Sequence, residues 1–149
     1  MISRGIVRLV CVALVVGGCA SARPSGDAGL VHLTFLAVSD VYTLEPVDRG
    51  RRGGMARLAT LVQRVRDENP NTLFLLGGDT LSPSMLSSVL QGRQMIAAFN
   101  LLGLDLATFG NHEFDFGPAA LSERVRESRF AWLSANVRDR ASGRPFGGA

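Results

Sequence analysis

The sequence has no lysine, and all 16 of its basic residues are arginines. Arg4 and Arg8 lie in an N-terminal segment that we expect to be removed, which leaves 14 arginines against 13 acidic residues. The formal net charge of +3 therefore falls to near neutrality in the rest of the chain. A nucleic-acid-binding protein needs a clustered basic face, so the charge gives no support for a nucleic-acid partner.

The sequence also lacks a long hydrophobic run. The longest, Leu9 to Val16, is shorter than the ~20 residues that span a bilayer. Basic residues precede it, and Gly17, Gly18 and Cys19 follow it, which is the order of a secretory signal. Small residues directly before a cysteine resemble the bacterial lipoprotein signal, although an ordinary signal peptide or an apolar strand remains an alternative.

This leader predicts an exported protein that is anchored to a membrane through lipid on Cys19, in the periplasm or on the cell surface. Residues 1–18 are then the signal peptide, and residues 19–29, which are small, polar and rich in breakers, form a flexible tether. The sequence has two cysteines; Cys11 leaves with the leader and Cys19 is acylated. No disulfide is then available to the folded part, whose stability must come from packing.

Strand and helix patterns alternate along residues 30–149, which predicts an α/β fold of β-α-β units with a mostly parallel sheet. We expect the first strand to be buried on both faces, Met85 and Met95 to fill the core, and Arg124 to point outward. No closing helix follows the last strand, so the region is interpreted as the N-terminal part of a larger domain. The predicted strands are Leu30–Val38, Leu73–Leu76, Leu106–Phe109 and Phe130–Ala135, and the helices are Gly54–Asp67, Ser82–Leu90, Arg93–Leu102 and Pro118–Arg129.

Polar residues follow three of these strands at the point where each strand ends. Asp40 follows the first strand, Asp79 the second, and the run Asn111, His112, Glu113, Phe114, Asp115 the third. Ligands bind outside the carboxyl ends of parallel strands, so the three loops predict a functional site. The alternative for the third loop is a simple turn, with Gly110 at a positive φ and Asn111 or Asp115 capping the next helix.

Convergence of these loops would favour a metal site. Two carboxylates a few ångströms apart repel, and a cation removes that penalty. Oxygen ligands with a nearby imidazole suit Mn, Zn, Fe, Mg or Ca. One carboxylate that bridges two divalent ions gives the arrangement used for displacement at phosphorus, and Asp79 is placed to be that bridge.

These residues carry a resemblance to a known family. The segments Ser39–Tyr42, Gly77–Asp79 and Gly110–Asp115 resemble the first three metal-site blocks of the metallophosphoesterase (calcineurin-like) superfamily. The last of them, GNHEFD, with the run that precedes it, is similar to the 5'-nucleotidase family in particular. The resemblance covers residues 33–146 and implies the N-terminal part of a four-layer α/β/β/α domain.

The resemblance implies a role for each matching residue. Asp40 would bind the first of two divalent metal ions, Asp79 would bridge them, and Asn111 would bind the second. His112 would be the catalytic histidine, and Asp115 would pair with it and keep it protonated. The implied reaction is hydrolysis of a phosphoester, typically of an extracytoplasmic nucleotide, by a metal-activated hydroxide.

Two departures from the family pattern limit this assignment. Tyr42, a further candidate metal ligand, stands where the family usually has histidine, and a phenol with a pKa of ~10 is a poorer metal ligand than imidazole. The family's further histidine ligands lie downstream of this sequence, whose histidines are His32 and His112. We therefore expect this chain alone to be weak or inactive. Two alternatives are a related metallohydrolase for another ester (a nucleotide sugar, a cyclic phosphodiester or a sulfur oxyanion) and a non-catalytic surface lipoprotein.

Overall fold

The computed structural model describes residues 29–146. The predicted signal peptide, Cys19 and all of the predicted tether except Gly29 lie outside this range. Every helix and strand named below belongs to one compact unit, which begins at His32. Within the described part, no helix combines the length and the apolar character needed to cross a membrane.

A four-stranded parallel sheet forms the centre of this unit, with strand order β1-β2-β3-β4. This confirms the predicted α/β fold, although β3 and β4 are shorter than expected. A 3₁₀ turn at His112–Phe114 follows β3. The elements in chain order are β1 Thr34–Val38, α1 Met55–Glu68, β2 Thr72–Leu76, α2 Met85–Leu90, α3 Arg93–Leu102, β3 Leu106–Ala107, α4 Gly117–Glu127 and β4 Ala131–Trp132.

The helices lie on one face of the sheet. Each strand is followed in space by the next strand in sequence, and β-α-β crossovers are right-handed, so every crossover passes over the same side. Phe74 and Leu76 of β2 point into this layer and are buried against Met95 and Phe99 of α3 and Leu121 of α4. Residues 29–146 contain no cysteine, so this core and not a disulfide stabilises them.

No helix between residues 29 and 146 covers the opposite face of the sheet, which corrects the prediction that the first strand is buried on both faces. Phe35 of β1 is 61% exposed, and it shares this face with its register partner Leu73. Leu75 and its partner Leu106 continue the same face, and Leu133 beyond β4 is also exposed. The prediction followed from the apolar residues on both faces of β1, whereas the helices of the described residues cover only one face.

Helix α2 differs from the prediction in length and in burial. It begins at Met85 after the cap residue Ser84, whose hydroxyl accepts a hydrogen bond from the Ser87 N–H. Met85 is 91% exposed, so its predicted core role is wrong, whereas Met95 is fully buried as expected. The helix has only six residues, and Ser87 is its buried residue.

Arg124 of α4 is also placed differently from the prediction. It is 3% exposed, because its guanidinium donates to the carbonyl oxygens of Leu90 and Gln91 and pairs with Glu127. The side chain thereby supplies donors to the carbonyls at the C-terminal end of α2, which α2 itself cannot satisfy. Arg124 links α2 to α4 instead of facing solvent.

Candidate active site

Asp40 and Asp79 share an unusual backbone conformation at the ends of adjacent strands. Their φ angles are 57° and 59°, in the left-handed region that residues with a side chain rarely adopt. Such conformations cost on the order of 1–3 kcal/mol and persist only where the surroundings enforce them. The Asp40 N–H donates to the Gly78 carbonyl over 3.3 Å, so the loops after β1 and β2 lie side by side.

Glycines allow the loops after β2 and β3 to touch through their backbones. A Cβ atom on Gly78 would overlap the backbone of Gly110, and one on Gly110 would overlap Asp79. The φ of Gly110 is not positive, so the left-handed turn that the simple-turn alternative required at this position is absent. The close approach of the Asp79 carboxylate and backbone nitrogen, not a left-handed turn, requires glycine at position 110.

Glu113 binds these two loops together from inside the protein. Its side chain is fully buried and accepts hydrogen bonds from the N–H groups of Asp79 (2.8 Å), Thr80 (2.7 Å) and Gly110 (2.6 Å). A buried carboxylate is tolerated where several donors replace its hydration. Glu113 therefore fixes the backbone that carries Asp79.

The Asp79 carboxylate is held against the third loop. Its Oδ1 accepts a hydrogen bond from the His112 N–H over 2.9 Å. This contact places the candidate bridging residue beside the candidate catalytic histidine.

His112 and Asp115 form a pair within the third loop. The distance from His112 Nδ1 to Asp115 Oδ2 is 2.8 Å, and a carboxylate can only accept, so Nδ1 carries the proton. The hydrogen bond to Asp115 raises the pKa of His112, against the opposing effect of burial. The same bond, with a second from Ser82, lowers the pKa of Asp115. Asp115 thus favours the imidazolium form of His112.

Tyr42 lies between the first and third loops. Its hydroxyl donates to Asp40 Oδ1 over 2.8 Å, and its ring meets the His112 ring edge-on at a centroid distance of 5.8 Å. The hydrogen bond to Asp40 raises the pKa of Tyr42 to about 12, and the charges of Asp40 and Asp79 act in the same direction. Hydrogen bonds from Ser39 and Tyr42 lower the pKa of Asp40. Tyr42 is a neutral donor to Asp40 in this arrangement.

Helix capping does not explain the polar residues of the third loop. Asn111 makes no capping hydrogen bond, and α4 is preceded by Phe116, which makes none either. Asp115 uses its carboxylate on His112 and Ser82. The capping alternative for this loop is therefore wrong.

The donor set is suited in kind to hard or borderline divalent ions. Asp40, Asp79 and Asn111 offer oxygen atoms at one edge of the sheet, which such ions prefer. Between residues 29 and 146, no group of three or more His, Cys, Asp or Glu side chains is arranged to hold a metal. Two ions need roughly four to six ligands each, so these residues could supply only part of a two-metal centre.

Two hydroxyl residues at the site escaped the sequence analysis. The Thr80 hydroxyl donates to the Val41 carbonyl over 2.7 Å and ties the loop after β1 to that after β2. The Ser82 hydroxyl donates to Asp115 Oδ2 over 2.8 Å. Only their closeness to Asp79 in the sequence could have indicated a role for these two residues. Short hydroxyl residues are common, and the partners of these two lie more than 30 residues away, so no local pattern reveals the contacts.

Residues 33–144 match the sequence model of the family described as calcineurin-like phosphoesterase. The chain belongs to this family. Among curated relatives, it is 34% identical over 143 residues to the "Probable 5'-nucleotidase" of Treponema pallidum (strain Nichols), a match that covers 89% of this chain and 24% of the relative. The chain thus spans about a quarter of the length of that relative.

Solved structures of this phosphoesterase family agree. A 5'-nucleotidase precursor from Thermus thermophilus matches with a TM-score of 0.65 and 33% identity, covering 70% of this chain and 22% of that one. The NAD nucleotidase of Haemophilus influenzae matches with a TM-score of 0.66 and 29% identity, covering 76% of this chain and 22% of that one. In both, the match covers most of this chain and a minor share of the relative.

Proposed function

We propose that this chain contributes the N-terminal part of the active site of a metal-dependent phosphoric monoester hydrolase of the 5'-nucleotidase type, acting on extracytoplasmic nucleotides. The observation that carries the proposal is the contact between Asp79 and the His112 backbone at 2.9 Å. This hydrogen bond places a carboxylate that could bind a metal ion next to a histidine that could act as a general acid. Family membership and the similarity to nucleotidases support the reaction class.

Asp40, Asp79 and Asn111 would hold two divalent ions in the whole protein. Such ions, when bound, supply charge neutralisation at phosphate and an activated water. His112 would donate a hydrogen bond or proton from Nε2 to the phosphoryl or leaving oxygen, because Asp115 engages Nδ1 and favours the charged ring. Asp115 fixes which nitrogen faces the substrate.

We assign Tyr42 to the support of Asp40, although its position in the sequence made it a candidate ligand. Its hydroxyl proton points at Asp40 Oδ1, so the oxygen of the phenol is engaged as a donor. Asp40, and not Tyr42, would then be the metal ligand of the first loop. The first metal site would then need ligands other than Tyr42.

Export and lipid anchoring through Cys19 remain part of the proposal and rest on the leader sequence alone. Radiolabelled palmitate fed to expressing bacteria should label the full chain. A Cys19→Ala variant should lose the label, and labelling that survives this change would contradict anchoring at Cys19.

The decisive experiment uses the whole protein expressed from its gene region. Phosphate release from AMP should require Mn or Zn and should fall by at least about a hundredfold in Asp79→Ala, because a ligand shared by two ions is lost. No metal-dependent release from any nucleotide would refute the proposal. The 149-residue chain alone should release little phosphate, and strong Asp79-dependent turnover by it would show that its own ligands suffice.

A second candidate is hydrolysis of a larger nucleotide such as a dinucleotide or nucleotide sugar. The fold similarity to an enzyme named NAD nucleotidase favours it. Comparing AMP, NAD and UDP-glucose as substrates at equal concentration separates the two. Calorimetric titration with Mn and Zn tests the remaining alternative, since a non-catalytic scaffold should bind neither ion tightly.

A further inference from the structure

We propose that Ser82 is a positioning residue for His112 and that it acts through Asp115. The effect of Ser82 on catalysis rests on the proposed function, whereas its effect on the orientation of His112 does not. The geometry itself needs no substrate and no metal. Nothing in the motif pattern singles out Ser82, which lies three residues before the first residue of α2.

One oxygen of Asp115 is shared by two partners. Asp115 Oδ2 lies 2.8 Å from the Ser82 hydroxyl and 2.8 Å from His112 Nδ1. The hydroxyl therefore fixes the same atom that orients the imidazole. A change in its position would be transmitted directly to the ring.

Asp115 is poorly restrained by its own loop. Its side chain is 41% exposed, and its partner within the loop, the His112 side chain, is itself 33% exposed. Without a second partner, the carboxylate could rotate toward water while keeping its own solvation. The bond from Ser82 opposes that rotation.

Ser82 can oppose it because its own position is fixed. The residue is 6% exposed, so bulk water offers its hydroxyl little competition for Asp115. Two residues earlier, the Thr80 N–H is bound by Glu113, and Leu81 between them is buried in the core. The fixed position of residues 79–82 therefore determines where the Ser82 hydroxyl holds Asp115 in the third loop.

The consequence is a defined proton position on the imidazole. With Asp115 fixed, neutral His112 keeps its proton on Nδ1, and its Nε2 faces away from the carboxylate. With Asp115 free to rotate, the alternative Nε2–H form gains population. Ser82 therefore sets the tautomer of His112, which is a measurable quantity.

The test is nitrogen NMR of the imidazoles in the whole 149-residue chain, at a pH where both rings are neutral. The spectrum is simple because the chain has two histidines, and His32 serves as an internal reference. In the parent chain, His112 should be mainly the Nδ1–H form. In Ser82→Ala, the ratio of Nδ1–H to Nε2–H should fall about fivefold, as expected for loss of a hydrogen bond of ordinary strength.

Two variants separate positioning from general destabilisation. Ser82→Thr keeps the hydroxyl and should retain the ratio. Ser87→Ala removes another fully buried hydroxyl, bonded to Ser84 and Gln94 rather than to Asp115, and should also leave the ratio unchanged. An unchanged ratio in folded Ser82→Ala, or an equal change in Ser87→Ala, would overturn the proposal.

A measurement on the parent chain covers the case in which Ser82→Ala does not fold. The Ser82 hydroxyl proton should exchange slowly enough with water to give its own resonance at low temperature, and its absence would contradict the buried bond to Asp115. In the whole enzyme, Ser82→Ala should lower kcat several-fold with KM unchanged. A tautomer change without any phosphatase activity would leave the positioning intact and refute only the proposed function.

Discussion

Asp79 is constrained at three points: its φ of 59°, its N–H on Glu113, and its carboxylate on the His112 N–H. The Glu113 side chain that accepts from this N–H is fully buried, and the His112 group is part of the backbone, so both partners are held in place. A residue held in this way changes little in conformation when a ligand arrives. This preorganisation reduces the free energy lost on binding a charged group.

Glu113 should contribute strongly to stability. Glu113→Gln keeps the size of the side chain but replaces one acceptor oxygen with a donor amide, so at least one of the three N–H groups loses its partner. We expect a loss of about 1–3 kcal/mol in the free energy of unfolding, measured by urea denaturation. Glu123→Gln on α4, an exposed position, is the control and should change it by less than about 0.5 kcal/mol. Equal effects of the two changes would contradict this role.

The His112–Asp115 pair should give stability a defined pH window. Asp115 raises the pKa of His112 above its ordinary 6.5, so this contribution is complete below 6.5 and is lost as pH rises through the raised value. The pKa of Asp115 lies below its ordinary 3.8, so its contribution is complete above 3.8 and is lost as pH falls. The stability difference between the parent chain and Asp115→Asn should therefore be largest between about pH 4 and 6.5.

Asp139 provides a matched control for this window. Hydrogen bonds from Ser142 lower the pKa of Asp139, but no histidine pairs with its carboxylate. Asp139→Asn should therefore show the loss on the acidic side without the loss above pH 6.5. A loss at high pH in both variants would show that His112 is not the titrating partner.

Tyr42 should limit metal affinity. Tyr42→His places an imidazole, a better ligand, beside Asp40, and should tighten Zn binding by about tenfold or more in calorimetry. Tyr42→Phe removes the donor to Asp40 without adding a ligand and should not tighten binding. If Tyr42→His binds Zn no better than the parent chain, the assignment of Asp40 to a metal site fails.

At the scale of elements, sequence patterns predicted the order of the strands and helices but not where each ends. The lengths of β3 and β4 depend on pairing, and β3 pairs with only Leu75 and Leu76 of β2. Helical spacing around Met85 could not reveal that α2 has little core to cover. The burial of Arg124 depends on carbonyls more than 30 residues away, which no local pattern encodes.

Arg124 should be the most sensitive polar residue of the helical layer. Arg124→Ala leaves the carbonyls of Leu90 and Gln91 without their donor and Glu127 without a buried partner. We expect a loss of about 2–4 kcal/mol in the free energy of unfolding by urea. Arg126→Ala, an exposed position on the same helix, should cost less than about 0.5 kcal/mol. A small effect at Arg124 would mean that water can replace its bonds.

At the scale of the whole molecule, the candidate site was predictable because its residues follow strand ends, where topology brings them together. Asp40, Asp79 and the third loop could be named from this rule and from the resemblance. Ser82 and Thr80 could not, since their roles depend on which oxygen each hydroxyl reaches. The reason for Gly110 was also hidden, because the close approach of two loops is a property of the folded chain.

The bare sheet face should make this chain self-associate. Phe35 and Leu133 present large apolar side chains to water on the face that no helix covers. Light scattering should show a particle size that grows with concentration, and the double variant Phe35→Thr with Leu133→Ser should reduce that growth. Replacing the exposed Val89 and Met85 of α2 with serine is the control and should reduce it less. Equal reductions would place the contact elsewhere.

The uncovered face of the sheet determines the conditions under which the 149-residue chain stays monomeric. Two molecules that associate through these faces would each bury the apolar side chains of the other. Hydrophobic association weakens on cooling, so this self-association should become stronger as the sample is warmed toward body temperature. Cold, dilute samples are therefore the ones in which the candidate active site can be studied one molecule at a time.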